Sequence, residues 1–506
     1  MFQQLYNTVD TWVVGNYVSN EAFSAVGTVG PVINMLIGIF LGLSSGAGVV
    51  ISQYYGAKRY DKVRDTVHTS IVMTLILAVL FTIIGIAMIP FVLDFMKTPA
   101  EVMPESSAYL TIYFAGVIGL MLYNMGAGIL RAVGDSKRPF YFLVVSAVLN
   151  IILDLVFVLS LGMGVKGVAY ATIISQGVSA MLTMITLFRT DSCIKVELKY
   201  LKLDKEMLAK IVRVGIPAAI QMAITAFSNV FVQSYVNYFG ADCMSGWTAY
   251  SKIDQLLFLP MQSLALASTT FVGQNLGIDQ VGRAKKGART AFLMSVVATV
   301  ILTIPLLIFA PQLVSFFNGK AEVVAYGSML LRYCSPFYVF CCVNQVYSGV
   351  LRGAGNSRAP MIIMLSSFVV FRQIYLFIMA NFISNTIIPI ALGYPAGWLV
   401  CSTLTLLYYR HADLSKSRLV EDTEKKSRSF RKKPHKSCIK YSCIKYNKIA
   451  PRTSHARAGV REAFFISAKS YYLSTFSTRQ NQNFFKNPSL DGLHFVRNMI
   501  YCGYKP

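Results

Sequence analysis

The sequence predicts an all-α integral membrane protein with twelve transmembrane helices in two six-helix bundles. Three observations carry that prediction. Of 506 residues, 55% are hydrophobic and only 14% charged, about half the charged share of soluble domains. The apolar residues gather into runs long enough to cross a hydrocarbon core of about 30 Å, with short basic loops between them. The chain also repeats itself at an offset of 221 residues. Together these exclude a soluble enzyme, and they weaken nucleic-acid binding as the meaning of a net charge of +24.

In the first half, a partial run at 2–18 is followed by full runs near 24–54, 67–96, 108–130, 139–160 and 166–188. In the second half, runs lie near 212–238, 244–275, 290–316, 323–350, 359–381 and 384–409. Helices are expected throughout, because lipid offers no partner to backbone N–H and C=O groups. Pro217, Pro260 and Pro336 interrupt apolar runs and are candidate kinks. Gly38, Gly42 and Gly46 recur every fourth position in the second segment, a spacing that lets helices approach closely.

Lys and Arg alternate between the loops. The even-numbered loops hold 20, among them Lys58, Arg59, Arg131, Lys137, Arg283 and Lys285, whereas the odd-numbered loops hold only Lys97, Lys166 and Lys320. By the positive-inside rule the even loops and both termini are cytoplasmic, in a plasma (inner) membrane.

The repeat is clearest where Leu130-Arg-Ala-Val-Gly-Asp-Ser-Lys-Arg-Pro139 aligns with Leu351-Arg-Gly-Ala-Gly-Asn-Ser-Arg-Ala-Pro360. The same offset pairs Gln53 with Gln274 and Gly56 with Gly277. Six helices per half bring both halves into the membrane in the same sense, so a pseudo-two-fold axis runs along the membrane normal. The expected organisation is an amino-terminal lobe (1–188) with an incomplete first helix, a cytoplasmic linker (189–211), a carboxyl-terminal lobe (212–410) and a basic tail (411–506). Such parallel-repeat folds place substrate and coupling ions near the midplane and work by alternating access.

Carboxylates inside apolar runs cost about 2.5–3.5 kcal/mol on insertion scales and are functional candidates by default. Asp10 and Asp154 are the informative ones. Asn150 and Asp154, four residues apart, share a helix face. Carboxylates with an amide oxygen and a hydroxyl make a hard-oxygen pocket for a small cation, or a proton acceptor when unpaired. Competing roles remain open: Asp154 as a cap or interhelical pair, and Asp10 as an interfacial residue. Lys252 and Asp254 read as a structural flank rather than a second site. Arg372 either snorkels or pairs across its lobe.

Gln3–Thr11, Gln53-Tyr-Tyr-Gly56, the LRAVGDSKRP and LRGAGNSRAP segments, Asn150-Ile-Ile-Leu-Asp154 and Val272-Gly-Gln-Asn-Leu-Gly277 resemble the multidrug and toxic compound extrusion (MATE) transporters over about residues 1–415. The resemblance implies a two-lobe antiporter that expels cationic or amphipathic compounds against a Na⁺ or H⁺ gradient. Similarity to the DinF-like branch implies a cation site of Asp10, Asn150, Asp154 and Thr172, with Gln3, Tyr6 and Asn124 lining the cavity. Segment 7, Gly215–Thr225, lacks the Glu of the NorM-like branch. A proline ahead of Met1 and the first half of helix 1 are expected to be missing.

No organic cofactor, nucleic-acid partner or catalytic constellation is expected, and a monomer is. The nine cysteines form no CxxC pair, which disfavours a zinc site. A flippase for lipid-linked substrates of the same superfamily is the rival transporter, distinguished by a strongly cationic cavity; a non-functional fragment of a MATE protein is another reading. Residues 411–506 carry 20 Lys and Arg against 6 acids. They read as a lipid-attracted tail, a nucleic-acid arm or the product of a frameshift.

Overall fold

The computed structural model describes residues 13–14, 17–18, 20–96, 98–383 and 386–420. Among these there is no strand. The amino-terminal half contains α1 (Asn20–Gly56), α2 (Tyr60–Phe95), α3 (Met103–Ala115), α4 (Val117–Ala132), α5 (Lys137–Leu155) and α6 (Gly164–Arg189). The second half contains α7 (Lys205–Asn237), α8 (Ala241–Gly277), α9 (Val281–Ile308), α10 (Ala310–Ser315), α11 (Ala321–Cys334), α12 (Tyr338–Gly353), α13 (Arg358–Met364), α14 (Arg372–Ile378), α15 (Ile387–Ala391) and α16 (Gly393–His411). Nine helices among the described residues are long and apolar enough to span a membrane, and α3 with α4, bent by 48°, make a tenth as one broken span.

The repeat is visible in the helix boundaries. Both ends of α4 map onto both ends of α12 at the offset of 221. The break before α4 falls at Gly116, and that before α12 is a 3₁₀ turn, Ser335–Phe337, containing Pro336. Pro217 and Pro260 behave differently: α7 and α8 run through them as single helices.

Small residues set the interface between the halves. A Cβ added to Gly46 would lie 2.5 Å from the Cα of Gly215, and one on Gly42 would clash with the backbone of Ala219. The glycine stripe of α1 therefore seats α7 directly against its backbone, as its spacing predicts. Apolar clusters fill each half, Phe40, Tyr113, Phe114 and Val168 in the first and Trp247, Tyr250, Tyr338 and Trp398 in the second, and a third crosses between them, packing Val50, Ile51 and Tyr54 of α1 against Met207, Ile211 and Val214 of α7.

Residues 190–204 join the halves, because Asp204 caps α7 by accepting from the Met207 N–H at 2.9 Å. Ile194 and Val196 of this linker are buried in the amino-terminal lobe, and His68 Nε2 accepts from the Glu197 N–H at 3.0 Å.

Candidate cation site and interlobe gate

α5 buries Asn150 and Asp154 completely on one face, and α6 buries Thr172. The two helices are tied one turn away by Ser146 Oγ, which donates to the Ser175 carbonyl at 2.7 Å. Thr172 Oγ1 donates to the Val168 carbonyl at 2.9 Å. Neither amide atom of Asn150 has a hydrogen-bond partner among the described residues. An unsatisfied buried polar group costs about 1–3 kcal/mol, so the donor set suits a guest that offers charge to oxygen. Immediately after Asp154 the helix widens into a π segment, Val156–Ser160, a distortion that recurs at functional sites. Asp10, Gln3 and Tyr6 lie outside the described residues.

Asn124 is buried on α4. Its Nδ2 donates to the Leu120 carbonyl at 2.9 Å, and its own carbonyl accepts from Ser44 Oγ at 2.6 Å. On the same helix, Met121 and Met125 join Phe40, Leu43 and Met73 around a small gap of about 10 Å³, room for about one water.

The carboxyl-terminal lobe encloses two charged groups of its own. Arg372, only 2% exposed, does not snorkel. Its Nη2 donates to Ser228 Oγ at 2.6 Å and Asn229 Oδ1 at 3.0 Å, and the guanidinium lies 4.7 Å from the Tyr394 ring centroid. No ion pair joins it among the described residues. Asp254 turns inward, away from exposed Lys252, and accepts from the Tyr338 hydroxyl at 2.5 Å. The expected i, i+2 flank is thus two residues with separate surroundings. Ser228, Asn229 and Tyr338 were not singled out in the sequence, and the polar Ser-Asn step inside an apolar run was their one signal.

On the face carrying the cationic loops, the halves meet through a symmetric pair of bonds. Gln53 Nε2 on α1 donates to the Gly353 carbonyl, and Gln274 Nε2 on α8 donates to the Ala132 carbonyl, both at 2.8 Å. The backbone of Gly56 abuts Gln274, and that of Gly277 abuts Gln53, so closely that neither glycine could carry a side chain. The two halves are in direct contact here.

The family described as MatE matches residues 1–156 and 217–378. The chain belongs to the MatE family. Its MatE relatives include "Probable multidrug resistance protein YoeA" of Bacillus subtilis, 29% identical over 417 residues, covering 81% of this chain and 90% of that protein. The "Probable multidrug resistance protein NorM" of Thermotoga maritima is 25% identical, with 83% and 92% covered. A solved outward-facing multidrug resistance MATE family transporter superposes with a TM-score of 0.77 at 25% identity, covering 81% of this chain and 91% of that one. An inward-facing structure gives 0.64, covering 81% and 94%. The MatE assignment makes this a multi-pass membrane protein of two six-helix lobes, in a family of transporters rather than enzymes.

Proposed function

We propose that the chain exports organic cations or amphiphiles in exchange for Na⁺ or H⁺, by alternating access of its two lobes in the plasma membrane. In this reading the cationic-loop face and both termini are cytoplasmic, and the coupling ion is a transported substrate. The observation that carries the reading is the wholly buried Asn150/Asp154 face, with an Asn150 amide that has no partner among the described residues, inside a multidrug-transporter fold.

Asp10, Asn150, Asp154 and Thr172 would hold the ion through carboxylate, amide and hydroxyl oxygens, which match a hard monovalent cation; the carboxylates would equally take a proton. Gln3, Tyr6 and Asn124 would line the drug cavity. Ion occupancy favours one arrangement of the amino-terminal lobe, and by linkage it lowers affinity for the drug to the same degree that the drug lowers affinity for the ion. The closed Gln53/Gln274 gate, together with the better fit to the outward-facing relative, supports an outward-open state.

The test is drug resistance in an efflux-deficient host. Asp154→Asn and Asn150→Ala should each abolish it while leaving membrane expression intact. Full resistance in Asp154→Asn would refute the proposed site.

A further inference from the structure

After α16 ends at His411, the chain does not leave the cationic-loop face but turns back across it. Leu414 is buried in one cluster with Val272, Leu276 and Leu351 of the carboxyl-terminal lobe. Five residues later, Leu419 and Val420 enter the cluster in which Val50, Ile51 and Tyr54 of α1 meet Met207, Ile211 and Val214 of α7. One short segment is thus anchored in both halves. Its polar contacts divide in the same way. Arg418 pairs with Asp279, just beyond α8, at 2.7 Å. The Leu419 N–H donates to Gln53 Oε1 at 2.8 Å, on the amide whose Nε2 already holds Gly353.

The internal repeat supplies a comparison within the same molecule. At the offset of 221, Leu419 corresponds to Leu198, Gln53 to Gln274 and Gly355 to Gly134. Leu198 lies in the 3₁₀ turn of the interlobe linker and is 73% exposed. Gly355 and Gly134 share a left-handed backbone, with φ of 96° and 99°. A Cβ on Gly355 would meet the Ser417 carbonyl at 2.5 Å, whereas one on Gly134 would meet nothing within 4 Å. The gate is symmetric; the segment that covers it is present on one side only.

We propose that residues 413–420 form a strap that holds the gate on the cationic-loop face closed, and that opening this face requires the strap to leave Gln53 and the amino-terminal core. Separating the lobes must break the Leu419–Gln53 bond and expose Leu419 and Val420 where α1 meets α7. The strap therefore biases the resting chain toward the state closed on this side. The proposal rests on the alternating-access reading, but its test reads lobe separation in the absence of drug and ion gradients. Failure of coupling leaves that test intact.

The experiment uses the full chain with spin labels carried on non-canonical residues at Asp61 and Lys286, exposed positions on opposite lobes. Leu419→Asp should raise the population of the longer interlabel distance by about tenfold. Arg418→Ala, which breaks the Asp279 pair, should raise it by a smaller factor at an unchanged melting temperature. Leu198→Asp, the repeat equivalent, should leave the parent distribution. Parent-like distances in both strap variants overturn the proposal, as does equal opening in Leu198→Asp. If Leu419→Asp does not fold, Arg418→Ala decides alone, and a parent-like distribution there overturns it.

Discussion

Gln53 and Gln274 occupy the same place in the two repeats, and each crosses the lobe interface to a backbone carbonyl, Gly353 and Ala132, which are themselves repeat equivalents. A duplicated half has been reused as its own docking partner. The interface is isologous in the manner of a two-fold dimer, although it lies within one chain.

The two glutamines are not equal in load, because Gln53 also accepts from Leu419. Truncation strands buried groups at about 1–3 kcal/mol each. Gln53→Ala should therefore open the gate about tenfold more often than the parent, and Gln274→Ala less so. Interlobe spin-label distances measure both. A larger opening in Gln274→Ala contradicts the assignment.

Gly46 should tolerate no side chain, because a Cβ there meets the Gly215 backbone at 2.5 Å. Gly46→Val should cost about 3 kcal/mol or more by overpacking, read as a lower melting temperature or lost expression. Gly30, on the same helix, has nothing within 4 Å of an added Cβ among the described residues. Gly30→Ala should instead stabilise by about 0.5–1 kcal/mol through reduced chain entropy.

Arg372 is buried against neutral acceptors, so its guanidinium fork matters more than its charge. Lysine keeps the charge but cannot bridge Ser228 and Asn229 while stacking on Tyr394, whereas methionine removes the desolvation cost altogether. Arg372→Lys should therefore lower the melting temperature more than Arg372→Met. The reverse order in thermal unfolding would show that the charge itself is what the lobe requires.

Cys193 sits in the interlobe linker, where burial pushes its thiol up to about 11. A raised thiol pKa keeps the group protonated through neutral and mildly alkaline pH, leaving roughly a thousandth as reactive thiolate at pH 8. Maleimide labelling of Cys193 should be slow at pH 7–8 and accelerate only as the pH climbs toward 11. Fast labelling at pH 7 would mean that the linker is not packed on the lobe.

The periodicity of the fold was legible because each of its causes is local. Twenty-residue apolar runs must be helical, and the offset of 221 fixes which helices correspond; α4 and α12 agree with it at both ends. The Gly38/Gly42/Gly46 stripe announced close packing but not its partner: α7 carries small residues at the same spacing, Gly215, Ala219 and Ala223, yet spacing alone does not say that the two stripes face each other. For the cation site, the i, i+4 spacing of Asn150 and Asp154 was readable, and both are buried as that face requires. Asp254 and Arg372 were visible as charges in apolar runs, yet their partners were not. Tyr338, Ser228 and Asn229 come from helices 84 to 144 residues away, and single hydroxyls leave no pattern. The contacts of residues 412–420 were hidden for the same reason: composition describes a basic tail, and only tertiary structure shows Leu414 and Leu419 entering different cores.

Competition between ion and drug is the heart of the proposed antiport. The most direct measurement is the affinity of the purified full chain for ethidium, a permanently charged fluorescent cation, across a Na⁺ series at fixed pH and a pH series without Na⁺. Coupling through Asp154 predicts that saturating Na⁺ or falling pH weakens ethidium binding by at least about fivefold, and that Asp154→Asn removes the dependence. An ethidium affinity that stays constant across both series would contradict it.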